Sequence, residues 1–253
     1  MNLRRAVDRG RHQLRRPVAR TPYLWDLAMF VRAGKRATLA RRDTAIVFDG
    51  YLRSGNTFSV AAFQVANGAE LHVGRHLHGA CHIQRAVRLR LPTVVLVRRP
   101  RDALLSYVIR RNTLTPHDAV IEYLDFYQGA WSAREGFVVG LFDQVISDFG
   151  AVIDEVNARF GTSFNRFDHS AEHEAAAFAL VEEMNRRECR GEVVETHVGR
   201  PSAHRSHRKD ALTGLLEAPR TAARLREANR LYERYAQLSA ERATRFRPSS
   251  SSG

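Results

Sequence analysis

Four apolar residues, Ala45-Ile46-Val47-Phe48, run into Asp49-Gly50-Tyr51-Leu52-Arg53-Ser54-Gly55, and from Asn56 to Ala66 the residues Phe58, Val60, Ala61, Ala62 and Val65 recur at helical spacing. An apolar run of that length, bounded by turn residues, reads as a short buried strand, and the pattern after it as a packed helix. Strand, glycine-bearing turn and helix in immediate succession belong to an α/β fold with a parallel β-sheet flanked by helices. Such a turn aims several backbone N–H groups and the positive end of the helix dipole at one point, where an anion is stabilised.

The spacing Gly50-x4-Gly55-Asn56-Thr57 is that of the nucleoside-triphosphate P-loop, with Asn56 where that loop carries the lysine that grips the outer phosphates. Arg53 supplies a cation from inside the loop instead. Taken alone, the two glycines also fit an ordinary strand–helix turn that needs tight geometry.

A second segment narrows the choice. Thr93-Val94-Val95-Leu96-Val97 follows Pro92 and has the length and β-branched content of a buried parallel strand, ending in Arg98-Arg99-Pro100-Arg101-Asp102. From Arg101 through Arg111, Ala103, Leu104, Tyr107 and Val108 fall at helical spacing. Arg98 stands at the strand's end and Ser106 eight residues later, so one anionic group between them would meet a guanidinium fork and a hydroxyl. On its own, Arg98 with its basic neighbours also reads as a solvated strand end.

Together the two segments resemble the cofactor-binding motifs of sulfotransferases that use 3′-phosphoadenosine 5′-phosphosulfate (PAPS). The family's first motif, Tyr-Pro-Lys-Ser-Gly-Thr-Thr-Trp, stands here as Tyr51-Leu52-Arg53-Ser54-Gly55-Asn56-Thr57-Phe58. Its second, an Arg followed eight residues on by a Ser with Pro and Asp between, matches Arg98, Pro100, Asp102 and Ser106. A weaker echo is Leu141-Phe142-Asp143-Gln144-Val145, where the family has a Tyr-Glu-Asp-Leu stretch after a strand and then a helix ending in Phe-Leu-Gly; here Arg159-Phe160-Gly161 closes that helix. The resemblance covers roughly residues 45 to 164.

The resemblance implies a P-loop-like sulfotransferase fold, PAPS as sulfuryl donor, and a nucleotide held by Arg53, Ser54, Gly55, Asn56, Thr57, Phe58, Arg98 and Ser106, with Arg53 also serving the transfer. It further implies a basic segment near the C-terminus over the 3′-phosphate, for which Arg208-Lys209 match the first two residues of the family's Arg-Lys-Gly; Asp210 stands in place of the glycine, and Arg205 or Arg200 are substitutes. No metal is required, because a sulfuryl group carries less charge than a phosphoryl group and its transfer can dispense with a bridging Mg²⁺. Consistent with this, Arg98 occupies the strand end where a P-loop NTPase places a metal-binding aspartate.

Between the motifs lie four histidines and a cysteine within eleven residues, His72, His76, His78, Cys81 and His82. The family places its catalytic base in a Lys-Thr-His-Leu-Pro segment, onto which Arg75-His76-Leu77 falls best. That makes His76 the base for the acceptor hydroxyl, with His78, in the proline's place, as the alternative two residues on. Imidazole suits the role because its pKa lies near neutrality. A zinc site is the rival reading, though no recognised ligand spacing is present and two glycines interrupt the segment. The remaining histidines, His72 and His82, read as solvated loop residues.

At 253 residues and 44% apolar content the chain can bury a full core as one domain, and no segment approaches the ~18 consecutive apolar residues of a membrane span. The lone cysteines Cys81 and Cys189 fit a reducing cytoplasm. Of the net charge of +13, residues 1–44 carry +9, which separates a basic N-terminal arm from the domain at 45–247 and a Ser-rich, disordered tail at 248–253. In the arm, Tyr23-Leu24-Trp25-Asp26-Leu27-Ala28-Met29-Phe30-Val31 fits either a helix packed on the body or one lying on an anionic membrane surface. No nucleic-acid recognition motif accompanies the charge. Leu225, Ala228, Leu231, Tyr235 and Leu238 describe one long amphipathic helix over 222–245, a scaffold or homodimer contact.

The expectation is therefore a cytoplasmic sulfotransferase, with possible peripheral membrane attachment, acting on a small-molecule, glycan or lipid acceptor whose pocket is shaped by loops at 112–136 and 191–206. A P-loop kinase or NTPase, and a non-catalytic nucleotide- or nucleic-acid-binding module, are the alternatives. The missing P-loop lysine counts against the first and His76 against the second.

Overall fold

The structure, a computed structural model, describes Trp25, Met29 and residues 37–111, 114–188 and 213–246. Among these described residues the sheet has four strands, β1 (Ile46–Gly50), β2 (Val73–Arg75), β3 (Thr93–Val97) and β4 (Val138–Leu141), in the order β2-β1-β3-β4 and all parallel. Around it run α1 (Asn56–Asn67), α2 (Ala80–Arg88), α3 (Pro100–Arg110), α4 (Pro116–Trp131), α5 (Phe142–Ser147), α6 (Phe149–Phe160), α7 (Ala171–Glu188) and α8 (Pro219–Phe246).

Every residue of β1 and β3 is buried, as expected for a parallel sheet covered on both faces. The two-residue period sorts them. Ile46, Phe48, Val94 and Leu96 face a core built with α1, α6 and α7, whereas Val95 and Val97 face a second core with Leu104, Tyr123, Tyr127 and Tyr235 from α3, α4 and α8. The long helix expected over 222–245 is α8, and Ala228, Leu231, Tyr232 and Tyr235 bury its apolar stripe in that second core.

The chain leaves β1 through α1 on one face to reach β2, then crosses back through α2 on the other face to β3. Connections from β1 and β3 therefore depart in opposite directions from adjacent strand ends. In open α/β sheets the crevice at such a switch point, outside the carboxyl ends of the strands, is where ligands bind.

One expectation is corrected. The stretch 112–136, read as pocket loops, contains the sixteen-residue helix α4; Thr115 caps it by accepting from the Asp118 N–H, Pro116 opens it, and Ala119, Val120, Tyr123, Leu124 and Tyr127 bury one face. Residues 37–44, assigned to the arm, are packed against the body: Arg85 Nε donates to the Ala40 carbonyl at 2.8 Å, and Trp25, 4% exposed, packs with Leu39 and Cys81. The rest of the arm, the loop at 191–206 and the tail lie outside the described residues. Among the described residues no helix is long and apolar enough to cross a membrane.

Candidate functional site

β1 delivers the chain into the cradle under tight constraint. A Cβ on Gly50 would lie 2.3 Å from the Leu96 carbonyl oxygen of β3, so only glycine permits this approach of the strands at the mouth of the site. Tyr51 is anchored below, its hydroxyl donating to the Ala119 carbonyl at 3.0 Å. The turn closes on the Tyr51 carbonyl, which accepts from the Ser54 N–H and from Asn56 Nδ2. Tyr127 donates its hydroxyl hydrogen to the Leu96 carbonyl at 2.7 Å, so Ser54 Oγ, 3.2 Å from that hydroxyl, is the donor to it. Ser54 thus locks the loop from beneath.

Arg53 (φ 69°) and Gly55 (φ 91°) both occupy the left-handed region, which costs a side-chain-bearing residue about 1–2 kcal/mol. That strain turns the loop so that α1 starts at Asn56 with no side-chain cap and no acidic residue in its first turn. The first N–H groups of a helix have no intrahelical acceptor, and here they keep the partial positive charge of the helix end. Asn56 Oδ1 is a buried acceptor without a hydrogen-bond partner among the described residues.

Two arginines and a serine converge on this helix end from separate elements. Arg53 Nε donates to Ser106 Oγ of α3 at 2.9 Å, and Arg98 Nη1, from the end of β3, donates to the Arg53 carbonyl at 3.0 Å. The Arg98 guanidinium lies 3.9 Å from the centre of the Phe142 ring. Burial lowers the Arg98 pKa while Asp102 and Asp143 oppose the fall; a guanidinium remains charged regardless. Ser106 Oγ accepts from Arg53 and, as a hydroxyl, still carries a hydrogen of its own to donate.

The histidine segment is organised by Asp49, a wholly buried carboxylate near the end of β1. It accepts from the N–H groups of Gly50 (3.0 Å), Leu77 (3.3 Å) and His78 (3.1 Å) and from His82 Nδ1 (2.7 Å). Burial pushes its pKa up, but the hydrogen bond from His82 and the fields of His78, His82 and His76 win, holding Asp49 below the usual carboxylate range.

His82 is accordingly not the solvated loop histidine expected: it lies on α2 with no exposed surface, and its Nε2 accepts from the Ala40 N–H at 3.1 Å. Nor is His72 simply solvated, since Nε2 donates to the Ala37 carbonyl at 3.1 Å and Nδ1 sits 2.8 Å from Thr44 Oγ1. A buried carboxylate demands donors, which accounts for the fate of His82. His76 and His78 lie on the connection between β2 and α2, both with left-handed backbones (φ 56° and 49°) and rings stacked at 5.9 Å. Among the described residues no group of three or more His, Cys, Asp or Glu could hold a metal ion.

Thr57 is half-buried in the first turn of α1, and Phe58 turns away from the arginines to pack against Phe149, Phe167 and Phe178. Phe142 and Asp143 open α5 directly after β4, and Gly161 ends α6 in a left-handed cap. Arg200, Arg205, Arg208 and Lys209 lie outside the described residues.

Two acids stand out that the motifs did not single out. Asp49 was legible only as a charge interrupting an apolar strand. Glu122 of α4 interacts with Tyr107, next to Ser106 on α3; burial raises its pKa to about 7 against the opposing pull of Arg111 and the Tyr107 hydrogen bond, and burial lifts Tyr107 itself to about 12.

No family model and no curated protein sequence matches this chain. Among solved structures, that of mouse sulfotransferase SULT7A1 complexed with PAP is similar over 79% of this chain and 90% of that one, with 15% sequence identity and a TM-score of 0.42.

Proposed function

We propose that the protein is a PAPS-dependent sulfotransferase that moves a sulfuryl group to an acceptor hydroxyl or amine. The observation that carries this reading is the convergence of Arg53, Arg98 and Ser106 on the uncapped start of α1, at the switch point between β1 and β3. A site so placed suits an anion, and two guanidinium groups plus a hydroxyl suit one with more than one phosphate.

The residues fit such a nucleotide. The left-handed turn through Arg53 and Gly55 leads straight into the N–H groups that open α1, and Arg53 supplies the cation that a P-loop takes from its lysine. Arg53 and the N–H groups at 55–57 would hold the 5′ end of the donor; Arg98 and Ser106 would hold its 3′-phosphate. When bound, PAPS supplies the sulfuryl group. The chain supplies fixed dipoles and cations that need no reorganisation as charge moves toward the leaving phosphate. A histidine of the 76–78 loop takes the acceptor's proton, and the family pattern points to His76.

Calorimetric titration with 3′,5′-bisphosphoadenosine, 5′-AMP and ATP with Mg²⁺ tests this. Bisphosphoadenosine should bind tightest, with no need of metal. Replacing Ser106 by Ala, or Arg98 by Lys, should remove about one to two decades of the preference over 5′-AMP, the worth of a charge-assisted contact at ~1.5–3 kcal/mol. Equal affinity of the unaltered protein for bisphosphoadenosine and 5′-AMP would sink the reading, and a preference for ATP with Mg²⁺ would replace it with a kinase.

A further inference from the structure

We propose that Asp49 is the positioning residue of this site and that it presents His78, through Nε2, as the group that takes the acceptor's proton. The proton transfer rests on the sulfuryl-transfer reading above; the positioning does not.

His78 Nδ1 lies 2.9 Å from the Gly50 carbonyl oxygen. A carbonyl can only accept, so Nδ1 carries the hydrogen, and in the neutral ring Nε2 keeps the lone pair. The same nitrogen is 3.4 Å from Asp49 Oδ1, and the N–H groups of Leu77 and His78 both donate to that carboxylate. Backbone and ring of His78 are thereby referred to one buried group, itself only one residue before the cradle.

The other histidines divide the remaining work. His82 Nε2 accepts from the Ala40 N–H, so its hydrogen sits on Nδ1 and is donated to Asp49 Oδ2; with no exposed surface it cannot meet an acceptor molecule. His72 has both ring nitrogens engaged, with Ala37 and Thr44. His76 stacks on His78 at an interplanar angle of 15° and shares its left-handed backbone. Two non-glycine outliers separated by one residue persist only where the surroundings over-determine them, and the hydrogen bonds of Leu77 and His78 to Asp49 supply that constraint. The side chain of His78 is 24% exposed, enough for one edge of the ring to be reached.

In the step so assigned, the acceptor oxygen forms its bond to sulfur and its proton passes to His78 Nε2. The electron pair of the broken S–O bond departs on the leaving 3′,5′-bisphosphoadenosine. Asp49 takes up no proton; its charge favours the imidazolium that forms, as the buried aspartate of a Ser-His-Asp triad does.

The test reads the tautomer directly, by long-range ¹H–¹⁵N correlation spectra of the full chain labelled on histidine nitrogens, with His78 assigned by the loss of its signals in His78→Gln. The unaltered protein should show His78 protonated at Nδ1 and bare at Nε2. In Asp49→Asn the Leu77 and His78 N–H groups lose their charged acceptor, so the loop that holds the ring on the Gly50 carbonyl loosens and His78 should revert toward a mixture of tautomers. Release of bisphosphoadenosine from PAPS with a phenolic probe should fall by about 10²–10⁴-fold, with affinity for bisphosphoadenosine unchanged. His78 found as the Nε2–H form in the unaltered protein overturns the proposal, even if Asp49→Asn does not fold. A folded Asp49→Asn that keeps the tautomer and the turnover overturns it too. Should the unaltered protein show the expected tautomer yet ignore bisphosphoadenosine, the transferase reading fails while the positioning of His78 by Asp49 stands.

Discussion

Gly50 and Gly55 bracket one turn, yet they resist substitution for different reasons. At Gly50 a methyl group would press on the Leu96 carbonyl oxygen at 2.3 Å, which forces β1 and β3 apart; at Gly55 the nearest atom would be a Phe142 ring carbon at 3.4 Å, an ordinary contact, so the cost is the left-handed φ alone. Gly50→Ala should therefore destabilise by about 3 kcal/mol or more, and Gly55→Ala by about 1–2 kcal/mol. Urea denaturation of the two variants measures the difference, and a Gly55→Ala variant less stable than Gly50→Ala would mean the strand contact yields easily. The positions of both glycines, Arg53, Arg98 and Ser106 were legible in the sequence, because each follows from spacing relative to the end of β1 or β3. Asp49 was not, since a carboxylate buried in a strand declares its purpose only when its donors, thirty residues on, are seen to fold back onto it.

Elements whose signal was local were readable and those needing a distant partner were not. The strand at 93–97 and the helix from Asn56 emerged nearly to the residue, because β-branched runs and 3.6-residue spacing are properties of short windows. Helix α4 was missed although Thr115-Pro116 is a start signal and Ala119, Val120, Tyr123, Leu124 and Tyr127 keep the period; its tyrosines are buried only because α3 and α8 close over them. Likewise α2 carries a histidine in its core only because Asp49 and the 37–44 segment both require one. Replacing His82 by Phe would keep the ring volume while stripping a donor from Asp49 and an acceptor from the Ala40 N–H. A loss of about 3–5 kcal/mol is expected, the usual result of leaving a buried charge short of a partner. His82→Gln, which keeps a donor and an acceptor, should lose less; equal losses would assign the effect to packing instead.

For the molecule as a whole, buried carboxyls set how stability responds to pH. Glu122 titrates at about 7 in the fold against 4.5 for an ordinary glutamate, and Glu155 does the same for the same leading reason, burial. Between those values the unfolded chain has released protons that the native state still holds, so stability falls as pH rises from about 4.5 to 7 and is flat, for these groups, above. Glu122→Gln should flatten that slope and leave the protein more stable at pH 8 by on the order of 2–3 kcal/mol. Unfolding curves at pH 4.5 and pH 8 decide it: an unchanged difference between the two would show that Glu122 is ionised in the fold without cost. Asp49 acts in the opposite sense, contributing stability that disappears only as acid drives pH down through its lowered pKa. The sheet itself is uneven. Its outer strand β2 has three residues and, among the described residues, pairs with β1 alone, yet the His76–His78 loop hangs from its end. Amide hydrogens of Val73, Gly74 and Arg75 should exchange with solvent faster than those of Val94 to Val97, because releasing so short an edge costs far less than opening the centre. The loop beyond that edge is moored elsewhere: Leu77 and His78 hydrogen-bond to Asp49 and Gly50 of β1, so a loosened β2 should leave the His78 ring tethered to the middle of the sheet.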